Sequence, residues 1–554
     1  MKTVLVAQNS SYTHTNAAVR ILANMLNGAG HDAIVVETTI SERGGVSSLC
    51  ERLYREKADI YAFSVYIWNR SEQLCAASLI KKLLPSCTVV LGGPEVSYET
   101  EDFLNDNPFV DHVIRGEGEK AIVDIADGKC QRGFVDGGIF EGFTDSHEPY
   151  FSCGKSYGDT DGKLIYYETS RGCPFSCSYC LSSVKSAGRA VRAKPTELVK
   201  SELSMLMRKN VKVIKLVDRT FNYDRKRAYT LFSHMIEESA LLLDEKGCYV
   251  GATVHFEICA SLLDEKTLTL LEKAPKGLFR FEIGVQTTNP KSLNAIGRAD
   301  DTEIILKNVD ILREKTNIEL HLDLICGLPC DTFGDVRESF NAVYGRCDKL
   351  QMGFLKLLSG TRMKAEAQKY GMVSLDVPPY TVLCTKDISF EEMMTLHRIS
   401  DIAEKLSDKE SGFETAVAFI VKESVSPFDM YLALSEYLNN KGNISSKRLY
   451  AEIFGFSCGE LSLSGDKKEE LKERLRFDYL MSNQGRPPCE IERGYTDEQA
   501  EYLSEMRKRA IHERDREKDD FFIPALEAHL FCFDTENVYM IDRKNRTYFT
   551  IKRY

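Results

Sequence analysis

A chain of 554 residues is long enough for about two to four domains, and its 43% apolar and 28% charged content is ordinary for a soluble globular protein. A net charge of −11 argues against a partner held by overall charge, so nucleic acid is not an expected partner. The first residues lack a basic and then apolar leader, and no stretch nears ~18 uninterrupted apolar residues, so a cytoplasmic protein without a membrane span is expected.

The first third alternates β-branched runs at 3–8, 33–39, 60–66, 88–94 and 112–119 with helical patterns, the clearest at 16–30. That alternation predicts an α/β domain over 1–130, a doubly wound parallel sheet with ligands at the carboxyl ends of its strands. Two glycine-bearing loops, Gly92-Gly93-Pro94 and Gly116-Glu117-Gly118-Glu119, follow strands and meet that requirement. Residues 131–164 carry Gly, Asp, Ser and aromatics without a period and read as a linker.

A second strand–helix series occupies 165–375, with strands at 165–170, 212–218, 255–260, 278–286 and 318–329. It predicts a full or partial (βα)6 barrel whose site lies at the strand ends. From 376 to 554 charged helical patterns take over, at 465–481 and 496–520. The strand-like runs at 529–534 and 538–554 predict a terminal β-hairpin turning at Lys544-Asn545.

Seventeen cysteines are present, most standing singly in apolar stretches as Cys75, Cys259 and Cys532 do. In a large cytosolic protein these read as small buried hydrophobes. One group differs: ETSRGCPFSCSYCLSS places Cys173, Cys177 and Cys180 in a C-x3-C-x2-C spacing. Thiolates are the usual ligands of iron–sulfur clusters, and three on one loop leave the fourth iron of a 4Fe–4S cubane open to a ligand. A structural zinc site would want a second pair, and Cys153 is the only other cysteine within 25 residues.

This spacing after a barrel strand resembles the radical S-adenosylmethionine superfamily, over roughly residues 160–375. The resemblance implies that S-adenosylmethionine chelates the open iron and is reductively cleaved to a 5′-deoxyadenosyl radical. It places Tyr179 against the adenine. EIGVQTTN (282–289) is similar to the branch of anaerobic coproporphyrinogen dehydrogenase and the Elongator-type enzymes. That likeness implies polar contacts to S-adenosylmethionine from Gln286, Asp323 and Glu257, and from Arg298 to its carboxylate. It also puts LVDRTF (216–221), with Asp218, where a glycine-rich stretch usually meets the methionine amine, although the glycines are missing here.

The N-terminal domain resembles the cobalamin-binding domain of the cobalamin-dependent subgroup. The likeness rests on Ser64 in FSVYIWN, on Gly92 and Gly93, and on Gly116 and Glu117. It puts Trp68, the only tryptophan, on the ligand side. The Asp-x-His-x-x-Gly loop of the cobalt-ligating type is absent. The corresponding stretch reads QNSSYTHTNAA (8–18), so His14 is expected at a helix start and the cobalt without a protein ligand.

The resemblance implies a 4Fe–4S cluster, S-adenosylmethionine, cobalamin and an electron donor of flavodoxin or ferredoxin type. The implied reaction is methylation of an unactivated carbon or phosphorus centre. A rearrangement or ring contraction is an alternative. So is tRNA methylthiolation, which calls for a second cluster, whereas Cys50, Cys75 and Cys87 include ones in helical patterns. A non-catalytic cobalamin or iron–sulfur protein would leave the barrel residues idle. Cys330, after the GLP turn, reads as packing or as a radical-relay thiol.

Overall fold

The computed structural model describes all residues except 146–149, 151–159, 185–189, 299, 408–411, 440, 516–525 and 554. Cys153, part of the expected linker and the end of the 496–520 helix fall outside the described residues.

Strands β1 (Lys2–Asn9), β2 (Asp32–Thr39), β3 (Ile60–Ser64), β4 (Thr88–Gly92), β5 (His112–Gly116) and β6 (Gly133–Gly138) form one sheet, in the order β2-β1-β3-β4-β5-β6. Every neighbouring pair is parallel. Val4, Phe63 and Leu91 pack on one face with Leu53 and Ala76, while Leu5, Ala62 and Val90 pack on the other with Val19 and Ile122. This double coverage is why β1 is apolar without alternation. Asn16 caps the helix Ala17–Gly28 through Val19 N–H, and its own N–H donates to Glu37, which also pairs with buried Arg20 at 2.7 Å.

β6 lies inside the stretch expected to be a linker. Its sequence, GFVDGG, has no apolar alternation to announce a strand. The glycines serve closeness instead: a Cβ on Gly137 would lie 1.9 Å from the Glu117 carbonyl oxygen.

The second sheet runs in chain order through β7 (Leu164–Tyr167), β8 (Val213–Leu216), β9 (Thr253–Ile258), β10 (Phe279–Gln286), β11 (Glu319–Cys326) and β12 (Lys349–Phe354), as a partial β/α barrel does. Burial alternates strictly in β10 and β11. Phe279 and Phe281 meet Phe256 and Phe232 on the buried face, several of these rings edge-on. The opposite face is polar. Register places Lys215, His255, Arg280 and Glu319 in one row and Glu257, Glu282 and His321 in the next.

These polar residues satisfy one another. Lys215 and His255 both reach Glu282, at 3.0 and 2.8 Å, while Arg280 and His321 both reach Glu319 at 2.8 Å. The His255 hydrogen bond, with Lys215, holds the Glu282 carboxyl at about 2. Burial pushes Glu319 upward, but His321 and Arg280 outweigh it and hold that carboxyl at about 2 as well. Both values lie below the ordinary 4.5. Their contribution to stability is therefore complete above that ordinary value and is lost as pH falls toward 2. Glu282→Gln should flatten this acid limb in urea denaturation measured across pH 2–5, and a limb as steep as wild type would refute the assignment.

The chain divides into two compact units, one of residues 1–335 with 353–390, the other of 336–352 with 391–554. The expected boundary at 375–376 therefore differs from the division by packing. Phe340 explains part of the difference: its ring meets Phe428 and Tyr431 edge-on, each at 5.6 Å. Among the described residues, the second unit carries a series of helices between Glu391 and Asp515 and ends in an antiparallel sheet of β13 (Leu526–Phe531), β14 (Asp534–Asp542) and β15 (Thr547–Lys552). The hairpin at Lys544-Asn545 forms between β14 and β15, and β13 adds a third strand. Among the described residues no helix is long and apolar enough to cross a membrane.

Candidate functional site

The three cysteines sit on the loop after β7, at the carboxyl end of the barrel strands. Asp218, just past β8, pins the start of this loop. It accepts from Thr169 N at 2.9 Å and from the hydroxyls of Thr169 and Ser170, while Arg227 donates to Thr169 Oγ1 at 3.1 Å. Gly172 then turns with φ +98°, where a Cβ would stand 2.8 Å from the Ala190 carbonyl oxygen. Further along, Ser183 Oγ donates to the carbonyls of Cys177 and Cys180, and Ser178 N donates to Ile296 O at 2.8 Å.

The three thiols lie near enough to one another for their charges to interact. Burial pushes the Cys173 and Cys177 thiols up, and Arg298 counteracts this at Cys177. Among the described residues no three His, Cys, Asp or Glu side chains are grouped to hold a single metal ion. A cubane holds its thiolates farther apart than one ion does, so an open trio of thiols on one pinned loop fits a cluster. A cavity of about 140 Å³ lies beside the loop, with Ser170, Gly172, Ser182, Val217 and Arg219 in its lining.

Several expected residues converge here. Tyr179 stands against Cys177 and Arg298, and burial pushes its hydroxyl pKa up. Gln286, at the end of β10, has φ +70° where the register with β11 slips. Its Oε1 is buried and makes no hydrogen bond among the described residues. Its amide lies across Gly284, where a Cβ would come within 2.0 Å of Nε2. Asp323 is the register partner of Gly284, and Glu257 that of Glu282. Burial raises the Glu257 carboxyl, with Arg219 pulling the other way.

Two of the residues expected to contact cofactors are engaged by the protein itself. Asp218 is fully buried and its oxygens accept from Thr169 and Ser170, so it anchors the loop. Glu117 is spent on Arg171, on Arg192 and on Phe140 N, so it joins the first sheet to the barrel. Gly116, with φ +77°, has a backbone reason too: a Cβ there would be 2.9 Å from Gly138 O.

In the first sheet the strand order reverses between β1 and β3, and ligands of such sheets sit in the crevice at that point. Ser64 ends β3 at this crevice, and its carbonyl accepts from Asn69 Nδ2 at 3.2 Å. Trp68 is 46% exposed, stacks on Tyr66 at 4.4 Å, and is oriented by Nε1 donating to Gln8 O at 3.0 Å. Gly92 ends β4, and at Gly93, with φ +110°, a Cβ would lie 2.5 Å from Val65 O. His14 Nδ1 is 2.6 Å from the Tyr166 hydroxyl. Burial lowers the pKa of this imidazole. Sequence reasoning missed Arg171 and Asp300. The acid two residues after Arg298 in IGRAD was the available signal for the latter.

Three protein-family models match in succession: the B12 binding domain over 3–126, the Radical SAM superfamily over 167–343, and the protein of unknown function DUF4080 over 368–538. The chain is an enzyme of the cobalamin-dependent radical SAM type. Its domains imply a 4Fe–4S cluster, S-adenosylmethionine and cobalamin, and radical SAM chemistry requires an external electron donor.

The chain is 24% identical over 354 residues to Uncharacterized methyltransferase PH0819 of Pyrococcus horikoshii, which covers 60% of this chain and 72% of that one. It is 23% identical over 354 residues to the cobalamin-dependent radical SAM methyltransferase TokK of Streptomyces tokunonensis, covering 57% and 49%. The match thus spans about half of TokK. The structure of TsrM from Kitasatospora setae with cobalamin and a [4Fe-4S] cluster bound shares this radical SAM enzyme's fold. Its TM-score is 0.56 at 15% identity, covering 86% of this chain and 99% of that one.

Proposed function

We propose that this chain methylates an unactivated carbon of its substrate, with Cys173, Cys177 and Cys180 holding the cluster. Gln286, Arg298, Tyr179, Glu257 and Asp323 hold S-adenosylmethionine. Residues 1–130 carry the corrin, 165–375 form the radical barrel, and 376–554 form a separate C-terminal domain. A flavodoxin- or ferredoxin-type protein delivers the electron. When bound, the cluster supplies the electron that cleaves S-adenosylmethionine and cobalamin supplies the methyl carrier.

The observation that carries the reading is the pinned loop of three thiols beside Gln286, whose buried oxygen is unpartnered and whose backbone is strained. A polar atom left in that state at a barrel mouth is ready for a ligand. Support for methylation comes from PH0819 and TokK, both named methyltransferases. The chain's own residues orient the reactants: Asp218 fixes the loop, Gly284 lets Gln286 and Arg298 close over β10, and Trp68 offers an apolar face at the sheet crevice.

The single tryptophan makes the cobalamin part directly testable. Hydroxocobalamin titrated into the protein should quench Trp68 fluorescence saturably. Trp68→Ala should weaken corrin retention on gel filtration about tenfold, the loss of one aromatic stack. Full emission with no corrin retained, while reductant and S-adenosylmethionine still give 5′-deoxyadenosine, would remove methyl transfer through cobalt. Absence of 5′-deoxyadenosine would remove the radical reading itself.

A further inference from the structure

Arg298 is the cation at the barrel mouth suited to an incoming carboxylate, yet it is not a free cation. Its Nε lies 2.8 Å from Asp300 Oδ2, with the two side chains only 13% and 9% exposed. Its Nη2 donates to Gly284 O at 2.7 Å. The other oxygen of Asp300 accepts from Ser261 Oγ at 3.2 Å and Cys259 Sγ at 3.3 Å, both just beyond β9. Arg298 also faces Tyr179 and Cys177 on the cysteine loop.

A guanidinium has five donors in a rigid planar fork, so fixing one edge fixes the direction of the rest. Here Asp300 lies against the Nε edge as an ion pair without a hydrogen bond at Nε, Gly284 O takes Nη2, and the Tyr179 hydroxyl also bonds the guanidinium. A carboxylate that fully neutralised Arg298 would compete with an anionic ligand. Asp300 instead divides its oxygens between Arg298 on one side and Ser261 with Cys259 on the other.

We propose that Asp300 is a positioning residue: its carboxylate, itself set by Cys259 and Ser261, pairs with Arg298 beside Nε and, together with Gly284 O and the Tyr179 hydroxyl, orients the guanidinium toward the carboxylate of S-adenosylmethionine. This rests on the function proposed above and deepens it. A purely structural ion pair, tying residues 298–300 to the end of β9, would instead affect folding without singling out one ligand.

The test uses the full chain, reconstituted anaerobically. S-Adenosylmethionine is titrated against the electron paramagnetic resonance of the reduced cluster, and its KM is measured in 5′-deoxyadenosine formation. In Asp300→Asn, iron content and the ligand-free spectrum should match wild type. The S-adenosylmethionine needed for half conversion of the spectrum, and its KM, should rise together about tenfold, with kcat changing much less. Asp300→Glu, which keeps the charge, should recover part of the loss. Cys259→Ala, which removes one donor to Asp300, should move the titration in the same direction by less.

Wild-type titration curves in both Asp300→Asn and Cys259→Ala overturn the proposal. If Asp300→Asn loses its cluster, Cys259→Ala decides, and an unshifted titration there overturns it. A wild-type spectrum and product assay that ignore S-adenosylmethionine overturn the enzyme reading, and the proposal with it.

Discussion

Alanine at Cys177 should leave the protein folded but unable to keep an iron–sulfur cluster, with 5′-deoxyadenosine formation at background. The reason is the economy of the site. Only Cys173, Cys177 and Cys180 lie on the pinned loop, so removing one leaves two thiolates for four irons. The fold should survive because the loop's anchors do not involve this thiol. Thr169 and Ser170 are held by Asp218, and Ser183 caps the carbonyls of residues 177 and 180, which alanine retains. Iron content, visible absorbance and thermal melting of Cys177→Ala against wild type check both halves. Wild-type iron content would show that the trio is not the cluster site.

The second large effect should come from Arg171, two residues before Cys173. Its Nη1 lies 3.1 Å from Glu117, and its Nη2 lies 2.7 Å from Glu119 and 2.8 Å from Glu168. The guanidinium also stacks over Phe143 at 4.4 Å, and its side chain is 14% exposed. Removing it leaves Glu119 and Glu168 without this cation, and Glu117 with Arg192 alone, in a mostly buried space. Breaking such a buried pair from one side costs about 3–5 kcal/mol, far more than a surface bridge. Arg171→Ala should lower the urea midpoint by a corresponding amount when unfolding is followed by Trp68 emission. Adding Glu119→Gln should recover part of the loss, because one uncompensated charge is then gone. A single variant as stable as wild type would mean that the carboxylates are solvated or protonated.

What the sequence disclosed and what it hid follow from how far each interaction reaches along the chain. The cysteine trio is local, eight residues from first to last, and its chemistry follows from spacing alone. The strands β10 and β11 were equally plain, because alternation of buried and exposed residues is a local period. The joints were not. Arg171 meets Glu117 across 54 residues and Cys259 meets Asp300 across 41, and neither pair leaves a pattern in a short window. The contacts of Asp218 to Thr169 and Ser170 leave no trace in the sequence, because an acid at a strand end has the same appearance whether it faces a cavity or a neighbouring backbone. Gly116 posed the same problem. A glycine after a strand announces a close approach without saying what approaches, and here it is Gly138.

The loop that carries His14 also reaches the barrel. Leu164 N donates to Thr13 O at 2.7 Å, Thr15 Oγ1 donates to Leu164 O at 3.1 Å, and His14 bridges to Leu164 in parallel. β7 is an end strand of the barrel sheet, so this loop shields the start of its outer edge. Bare edges recruit foreign strands, and proteins cover them to stay dispersed. A barrel fragment begun after the first sheet would present Leu164–Tyr167 uncovered and should self-associate at concentrations where the whole first unit does not. The N-terminal domain is thus also the barrel's guard against aggregation, and a dissection of this chain should not separate residues 13–15 from Leu164.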